Sequence, residues 1–185
     1  MKKLFLLPIL LLSLISTPCL SETMGDLVER DGIYYKKFTP TSFTGKITGK
    51  LQGRIKDGKK EGEWFGYWDN GQLVSKGSYK NGKREGKWIA YHDNGQLFEK
   101  VSYKNGERDG EGVWYWENGQ LWKKGSYKNN LEEGEWVSYW DSGQLVSKGS
   151  YKNGEEEGKW VWNWSNGTAN KEKTGTYKNG KKVID

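Results

Sequence analysis

The apolar positions between residues 57 and 177 follow an alternating pattern that restarts at a fixed interval. Gly-Gln-Leu begins at Gly71, Ser-Tyr-Lys begins at Ser78, and both return at intervals of 24 residues. Within each unit two short runs alternate apolar with polar residues, which is the period of a half-buried β-strand. The sequence therefore predicts a repeat of β-hairpins, with five units from Asp57 and a degenerate half-unit, residues 53–56, before them.

Asn-Gly punctuates the units and predicts their turns. This dipeptide occurs eight times, as at Asn70-Gly71 and Asn81-Gly82. Both residues of a type I′ turn have positive φ, and Asn-Gly tolerates that conformation best. These features predict an all-β fold, an elongated single-layer antiparallel meander of 24-residue hairpins. We expect it to cover residues 43–182.

Counting residues from each turn assigns the apolar side chains to two faces of the sheet. A two-residue loop at Asn70-Gly71 would pair Trp68 with Leu73 and Trp64 with Gly77, and one at Asn81-Gly82 would pair Ser75 with Trp88. Because residues two apart share a face, one side of the sheet, the first face, is expected to carry Trp64, Trp68, Leu73, Gly77, Tyr79 and Trp88. Val74 is expected on the second face. The indole of Trp64 would then cover Gly77. In the third unit Gly112 replaces Trp, and Trp114 is expected to restore the packing on the same face. The positions expected to carry the structural repeat are Trp64, Gly71, Leu73, Gly77, Tyr79, Gly86, Trp88, Gly95, Leu97, Tyr103, Trp136, Gly143, Tyr151 and Trp160.

A second stripe of apolar residues falls on the opposite face and is predicted to bind a partner. A sheet one layer thick has nothing to cover this stripe, so part of its aromatic surface should face water. Exposed Tyr and Trp often dominate the binding energy of an interface. The candidate partner-binding residues are Phe65, Tyr67, Tyr91, Phe98, Tyr115, Trp122 and Tyr139.

The N-terminus has the pattern of a secretory signal peptide. Lys2 and Lys3 precede an apolar run over residues 4–15, which is too short for a typical membrane-spanning helix. We expect residues 1–21 to be removed and the protein to be periplasmic or secreted. The alternative is a lipoprotein anchored through Cys19. Residues 22–42 would form a leader segment and residues 183–185 a tail.

Composition and charge restrict the choice of partner. Residues 22–185 contain 28 Lys and Arg against 24 Asp and Glu, a net charge of +4, and the two signs are interspersed. A nucleic-acid platform would instead segregate basic residues along a groove. The apolar content is thin and aromatic, with 11 Trp and 11 Tyr in the chain, which favours a sheet.

The sequence offers little for catalysis or metal binding, and we expect no enzyme activity, catalytic residue, cofactor or metal. The one Cys lies in the predicted signal peptide, and the one His, His92, stands where other units have Trp. We interpret His92 as a polar substitute in an aromatic ladder. Acids such as Glu61 recur in every unit, whereas glycoside hydrolysis needs one unique carboxyl pair. We therefore expect them to form a solvated rim.

The repeat Glu-Gly-x-Trp-x-x-Tyr-x-x-Asn-Gly-Gln-Leu, followed by Gly-x-Tyr-x-Asn-Gly, resembles the bacterial variant of the MORN repeat. Residues 85–106 show it best, and residues 30–46 resemble the leader of exported members of that family. Departures are Gly112 for Trp, Asn163 for Tyr and Asn130 for Gly. The resemblance implies an elongated hairpin strip that serves as a protein- or membrane-interaction module. Many bacterial members are labelled antitoxin components of toxin–antitoxin systems.

The sequence thus favours an exported, non-enzymatic interaction module that binds a protein through an aromatic strip. The alternative is a repeat protein that binds cell-wall glycans, because Trp- and Tyr-rich hairpins also resemble the choline- and cell-wall-binding repeats of Gram-positive surface proteins. Those repeats are shorter than the units of this chain and usually open with Gly-Trp. An envelope glycan or a membrane surface is therefore the second choice of partner, after a protein.

Overall fold

The computed structural model describes residues 21–183, and this part of the chain contains no α-helix. The predicted signal peptide, apart from Ser21, lies outside the described residues. A 3-10 turn covers Met24–Asp26. The strands are β1 (Glu22–Thr23), β2 (Leu27–Arg30), β3 (Ile33–Lys36), β4 (Gly45–Thr48), β5 (Leu51–Lys56), β6 (Lys59–Tyr67), β7 (Leu73–Lys80), β8 (Lys83–Tyr91), β9 (Leu97–Lys104), β10 (Glu107–Tyr115), β11 (Leu121–Lys128), β12 (Leu131–Tyr139), β13 (Leu145–Lys152), β14 (Glu155–Trp162), β15 (Gly175–Lys178) and β16 (Lys181–Lys182).

Fourteen of these strands form one sheet in which neighbours in sequence are neighbours in space from β4 to β16. All pairs in that run are antiparallel, and β1 adds to β4 in parallel. The predicted all-β meander of repeated hairpins is therefore confirmed.

The leader segment forms a separate hairpin, β2–β3, at the start of the sheet. Leu27 and Tyr34 from this hairpin pack with Ile47, Ile55 and Trp64 of the first sheet strands. A repeat array needs a terminal element that covers its outermost unit, and this hairpin provides it.

The turn at Asn81-Gly82 has the predicted two-residue geometry. Asn81 has φ 51° and Gly82 has φ 81°, and Lys80 pairs with Lys83 directly across the turn. Two consecutive positive φ values define type I′, whose twist matches that of the flanking strands. The prediction is confirmed at this turn.

The turn at Asn70-Gly71 differs from the prediction although the dipeptide is the same. Only Gly71 has a positive φ, of 82°. The Gly71 N–H donates to the carbonyl of Trp68 (2.9 Å), and the Trp68 N–H donates to the carbonyl of Gln72 (2.8 Å). This is a three-residue loop with a Gly bulge. The Asn70 side chain accepts from the Gln72 N–H (3.0 Å), which fixes the turn.

The longer loop changes the register beside the turn, and a bulge at Val74 then restores the predicted pairing of Trp64 with Gly77. Tyr67, not Trp68, pairs with Leu73, and the ladder shifts between Gly66 and Tyr67. Leu73 therefore lies beside Tyr67 on the second face, and the first-face prediction for Leu73 is wrong. Val74 instead lies on the first face, where a Cβ on Gly66 would be 3.9 Å from the Cβ of Val74. Leu97, the equivalent of Leu73 one unit later, pairs with Tyr91 in the same way and also lies on the second face.

A second irregularity lies between β7 and β8. Ser75 pairs with Ala90 instead of the predicted Trp88, because the ladder shifts between Lys76 and Ser78. The indole of Trp88 then crosses onto Gly77, where a Cβ would overlap it. The prediction that Trp64 covers Gly77 is wrong for the same reason. Trp64 pairs with Gly77 along the strands, but its indole lies on Gly53.

The core of the protein is a ladder of aromatic rings on the first face. The Trp64 ring meets Tyr79 edge to face at 5.9 Å, and Tyr79 meets Trp88 at 5.0 Å. Such pairs contribute about 0.5–1.5 kcal/mol each beyond area burial. Leu27 packs onto this face from the leader hairpin, and the other buried apolar residues belong to it. They are Ile47, Ile55, Trp64, Trp88, Val101, Trp114, Tyr127, Trp136 and Trp160.

The third unit keeps the ladder through an exchange of residues. Gly112 stands in the Trp position and pairs with Val101, which stands in the Gly position. Trp114 lies against Gly112, where a Cβ would contact its ring, and stacks on Trp136 at 6.0 Å. The prediction that Trp114 restores the packing on this face is confirmed.

Candidate interaction surface

The second face of the sheet carries two parallel rows of apolar side chains. The first row consists of cross-strand pairs of Tyr and Leu, one pair in each of four units. Paired residues point to the same side of a sheet, so each Tyr lies against its Leu. The pairs are Tyr67–Leu73, Tyr91–Leu97, Tyr115–Leu121 and Tyr139–Leu145.

The second row alternates apolar residues with lysines from one strand to the next. Phe65 pairs with Lys76, which also pairs with Ile89 on its other side. Each lysine can lay its methylene chain along the apolar neighbours and keep its ammonium group in water. In strand order the row is Phe65, Lys76, Ile89, Lys100, Val113, Lys124, Val137, Lys148 and Val161.

Both rows are partly exposed to solvent. None of their apolar side chains is buried, and Val161 is 44% exposed. The contrast with the first face is sharp, since Trp64 is 3% and Trp160 is 2% exposed. Among residues 21–183 no further layer packs on the second face.

The structure brings together five of the seven predicted partner-binding residues. Phe65, Tyr67, Tyr91, Tyr115 and Tyr139 lie on the second face as expected.

Phe98 and Trp122 are the exceptions and lie on the first face. The ring of Phe98 contacts His92 at 4.9 Å, and the ring of Trp122 contacts Trp116 at 4.9 Å. Both pack against the buried cluster that contains Trp114. Phe98 and Trp122 occupy the position of Val74 in the next two units, and the same bulge turns all three side chains to the first face. Counting residues from each turn assumes that the strand pairing has no bulge, so it assigned Phe98 and Trp122 to the wrong face.

The acids of the Glu-Gly motif have a structural role that the sequence analysis missed. Each carboxylate accepts a hydrogen bond from the backbone N–H of the Asn that opens the next type I′ turn, and so ties neighbouring turns together. The interval from Glu to Asn, 20 residues in three of the bonds and 22 in the last, is the signal that was available. The bonds are Glu61–Asn81 (2.8 Å), Glu85–Asn105 (2.9 Å), Glu133–Asn153 (2.9 Å) and Glu157–Asn179 (3.1 Å).

His92 is placed as a member of the repeat. Its Nε2–H donates to the carbonyl of Tyr115 at 3.0 Å, and the Nε1–H of Trp116 donates to the carbonyl of Tyr139, also at 3.0 Å. The two side chains thus make the same bond to the following unit. This geometry agrees with the interpretation of His92 as a polar substitute for Trp.

The ionisable groups show shifts that follow from packing. Burial raises the pKa of Tyr34 to about 12, with the hydrogen bond to Glu29 as the second cause. Burial also raises the pKa of Tyr151 to about 12, helped by the charges of Glu156 and Glu132. Within residues 21–183 no three His, Cys, Asp or Glu side chains are grouped to hold a metal ion. The same stretch has no helix that is both long and apolar enough to cross a membrane.

The repeat also matches a known family. Residues 60–81, 84–105, 108–129 and 132–153 match the family described as MORN repeat variant. The chain carries four tandem MORN repeats of this variant type. Each match covers the two long strands of a unit and ends at or beside the type I′ turn. MORN repeats of this kind are non-catalytic repeat modules that generally serve in interactions.

The predicted fifth unit contains β14 and β15 but lies outside the matched segments. No curated protein matches the chain.

Proposed function

We propose that this MORN-repeat protein is a non-enzymatic interaction module that binds a protein partner through its second face. The observation that carries the proposal is the difference between the two faces. The first face buries its aromatic ladder within the chain, whereas the second leaves its Tyr–Leu row and its Phe65-to-Val161 row partly exposed to water. Contiguous exposed apolar surface of this kind marks interaction sites.

The lysines of the second face indicate the chemistry of the partner. Lys76, Lys100, Lys124 and Lys148 recur every second strand, a spacing of about 10 Å at about 4.8 Å per strand. Within the protein, Lys148 already pairs with Glu135 at 3.1 Å. The best complement is an elongated apolar strip flanked by acidic side chains at a matching interval.

The test compares alanine variants on the two faces. Tyr91→Ala and Tyr115→Ala should leave the far-UV circular dichroism spectrum and the melting temperature nearly unchanged. They should weaken capture of the partner, which is first identified by cross-linking in an envelope fraction, by about 2 kcal/mol for a central residue. Trp88→Ala and Trp136→Ala should instead unfold the array, because these rings form the core.

Binding that survives both Tyr substitutions would exclude the second face as the docking surface. Folded Trp variants that lose binding would point to the first face instead. Either result would replace the proposal.

We also propose that the protein is exported to the periplasm or secreted, on the strength of Lys2, Lys3 and the apolar run that follows. Sequencing the N-terminus of the envelope-fraction protein tests this, with Glu22 expected first.

We further propose that the protein acts as an antitoxin, which requires a toxin in the same compartment. Co-expression of this protein with a toxin encoded by an adjacent gene should then restore growth of cells that the toxin inhibits.

Glycan binding is the second candidate, favoured by two exposed indoles at the rim of the three-residue loops. Trp68 is 43% and Trp164 is 52% exposed. Co-sedimentation with purified peptidoglycan that is lost in the Trp68→Ala and Trp164→Ala variants would support this function over protein binding.

A further inference from the structure

In the aromatic ladder a basic side chain recurs over a Trp ring and a Tyr ring. We call this arrangement the cation seat. The Lys60 ammonium lies 4.7 Å from the centre of the Trp64 ring and 5.1 Å from that of Tyr79. One unit later, the Arg84 guanidinium lies 4.5 Å from Trp88 and 5.2 Å from Tyr103. In both units the cation and the Trp belong to one strand, and the Tyr belongs to the next strand along the sheet.

The third unit keeps the basic side chain and the Tyr ring but lacks the Trp ring. Arg108 on β10 lies 5.2 Å from the ring of Tyr127 on β11, but Gly112 stands in the Trp position. A basic side chain therefore covers the rings in each of the first three units.

The fourth unit keeps the rings but replaces the cation by an acid. Glu132 stands in the position of Arg84, with Trp136 on the same strand and Tyr151 on the next, at the positions of Trp88 and Tyr103. The side chains of this seat line a cavity of about 200 Å³ together with Trp160 and Trp162. Among residues 21–183 no lysine or arginine lies over the rings of Trp136, Tyr151 or Trp160.

The electrostatics of this cavity favour a positive guest. The faces of aromatic rings are negative, so a carboxylate beside them is poorly placed unless a cation joins it. Cation–π attraction is strongest where the cation is removed from water.

Two lysines lie near the cavity, and both face other rings. Lys123 lines the cavity, but its ammonium lies 4.5 Å from the ring of Trp114 and 5.1 Å from that of Trp122, towards the third unit. Burial lowers the pKa of Lys123, and the nearby charge of Glu132 opposes that shift. Lys173 lies 5.2 Å from the ring of Trp162 and is not part of the cavity lining.

We propose that this cavity binds a guanidinium or alkylammonium group, with Glu132 as its counter-ion and Trp136 and Tyr151 as its aromatic walls. An arginine side chain of a peptide suits it best, because Arg84 and Arg108 fill the equivalent seats. The Nε1–H of Trp162 is buried without an acceptor among the described residues, and a peptide carbonyl would supply one. The site lies on the first face and does not depend on the proposed role of the second.

The experiment titrates the full chain with N-acetyl-arginine amide and follows Trp fluorescence and heat. N-acetyl-citrulline amide is the matched control, since it keeps the shape and loses the charge. We expect saturable binding of the arginine compound and binding at least about tenfold weaker for the citrulline compound. Methylguanidinium binding equally well would assign the site to free small cations. Tighter binding of the arginine amide would assign it to peptides.

Variants at position 132 locate the site. Glu132→Arg restores the residue of the second and third units, so its own guanidinium should fill the seat and abolish binding. Glu155→Arg makes the same charge change at an exposed turn position and should bind like the unmodified chain. Glu132→Gln should keep the fold and weaken binding by about tenfold. Equal affinity for arginine and citrulline, or unchanged binding to folded Glu132→Arg, would overturn the proposal.

Discussion

The indole of Trp88 lies so close to the Cα of Gly77 that no side chain fits at position 77. An added Cβ would overlap the ring, and the same relation joins Trp64 to Gly53 and Trp160 to Gly149. Burial of each Trp therefore depends on a glycine in the preceding strand. The junction of the second and third units shows the permitted alternative, with Val101 of β9 in the Gly position and Gly112 of β10 in the Trp position.

We expect Gly77→Val to lower the free energy of unfolding by about 2–3 kcal/mol, because the new side chain must displace the Trp88 ring. Adding Trp88→Gly and Ala90→Trp copies the third unit and should recover most of the loss. Urea unfolding followed by circular dichroism measures both. A triple variant no more stable than Gly77→Val would show that the exchange at Val101 and Gly112 depends on other features of that unit.

The bond from Glu133 to the Asn153 N–H predicts a modest contribution to stability. Glu133→Ala removes the acceptor, and we expect a loss of about 1 kcal/mol in the free energy of unfolding. Asp109→Ala is the matched control. In the third unit the side chain of Asn130 instead accepts from the Arg108 N–H at 2.8 Å. Equal losses from the two substitutions would mean that the turn-to-turn bond contributes little.

Alkaline pH should destabilise the protein through its partly buried tyrosines. Burial raises the pKa of Tyr151 from 10.0 to about 12. The unfolded chain therefore releases this proton first, so the stability from Tyr151 is complete below pH 10 and is lost as pH rises towards 12. Denaturant midpoints measured across this range should fall. Tyr151→Phe should reduce the fall of stability with pH. The fall that remains is assigned to other tyrosines with a raised pKa, such as Tyr34. An unchanged slope in Tyr151→Phe would show that Tyr151 titrates normally.

The repeat, the strands and the type I′ turns were predictable because they follow from local sequence. Asn81-Gly82 behaves as its residues dictate. Asn70-Gly71 does not, because its Asn side chain caps the Gln72 N–H and a three-residue loop results. That single extra residue also decides the face of Leu73.

The assignment of side chains to faces was the weakest part of the prediction. Phe98 and Trp122 follow the bulge onto the first face, and a count of residues cannot detect a bulge. The exchange of Val101 and Gly112 was visible in the sequence as departures in two neighbouring units, Val101 in the second and Gly112 in the third. Recognising these departures as one exchange requires the knowledge that the Gly position and the Trp position of neighbouring strands are in contact.

The position of His92 supports a last prediction, that it can be replaced by Trp without loss of function. The indole N–H always carries a proton, so it can donate to the carbonyl of Tyr115 as Trp116 does to Tyr139. The larger ring should also cover more of Phe98, which His92 contacts at 4.9 Å. We expect His92→Trp to match or exceed the unmodified chain in stability by up to about 1 kcal/mol.

His92→Ala is the matched control for this substitution. It removes both the hydrogen bond and the ring contact and should cost about 1–2 kcal/mol. Thermal unfolding by circular dichroism measures the stability of both variants, and partner capture measures their function. Because His92 lies on the first face, binding through the second face should survive in both while they remain folded. A folded His92→Trp variant that lost function would show that the imidazole itself acts in binding or catalysis.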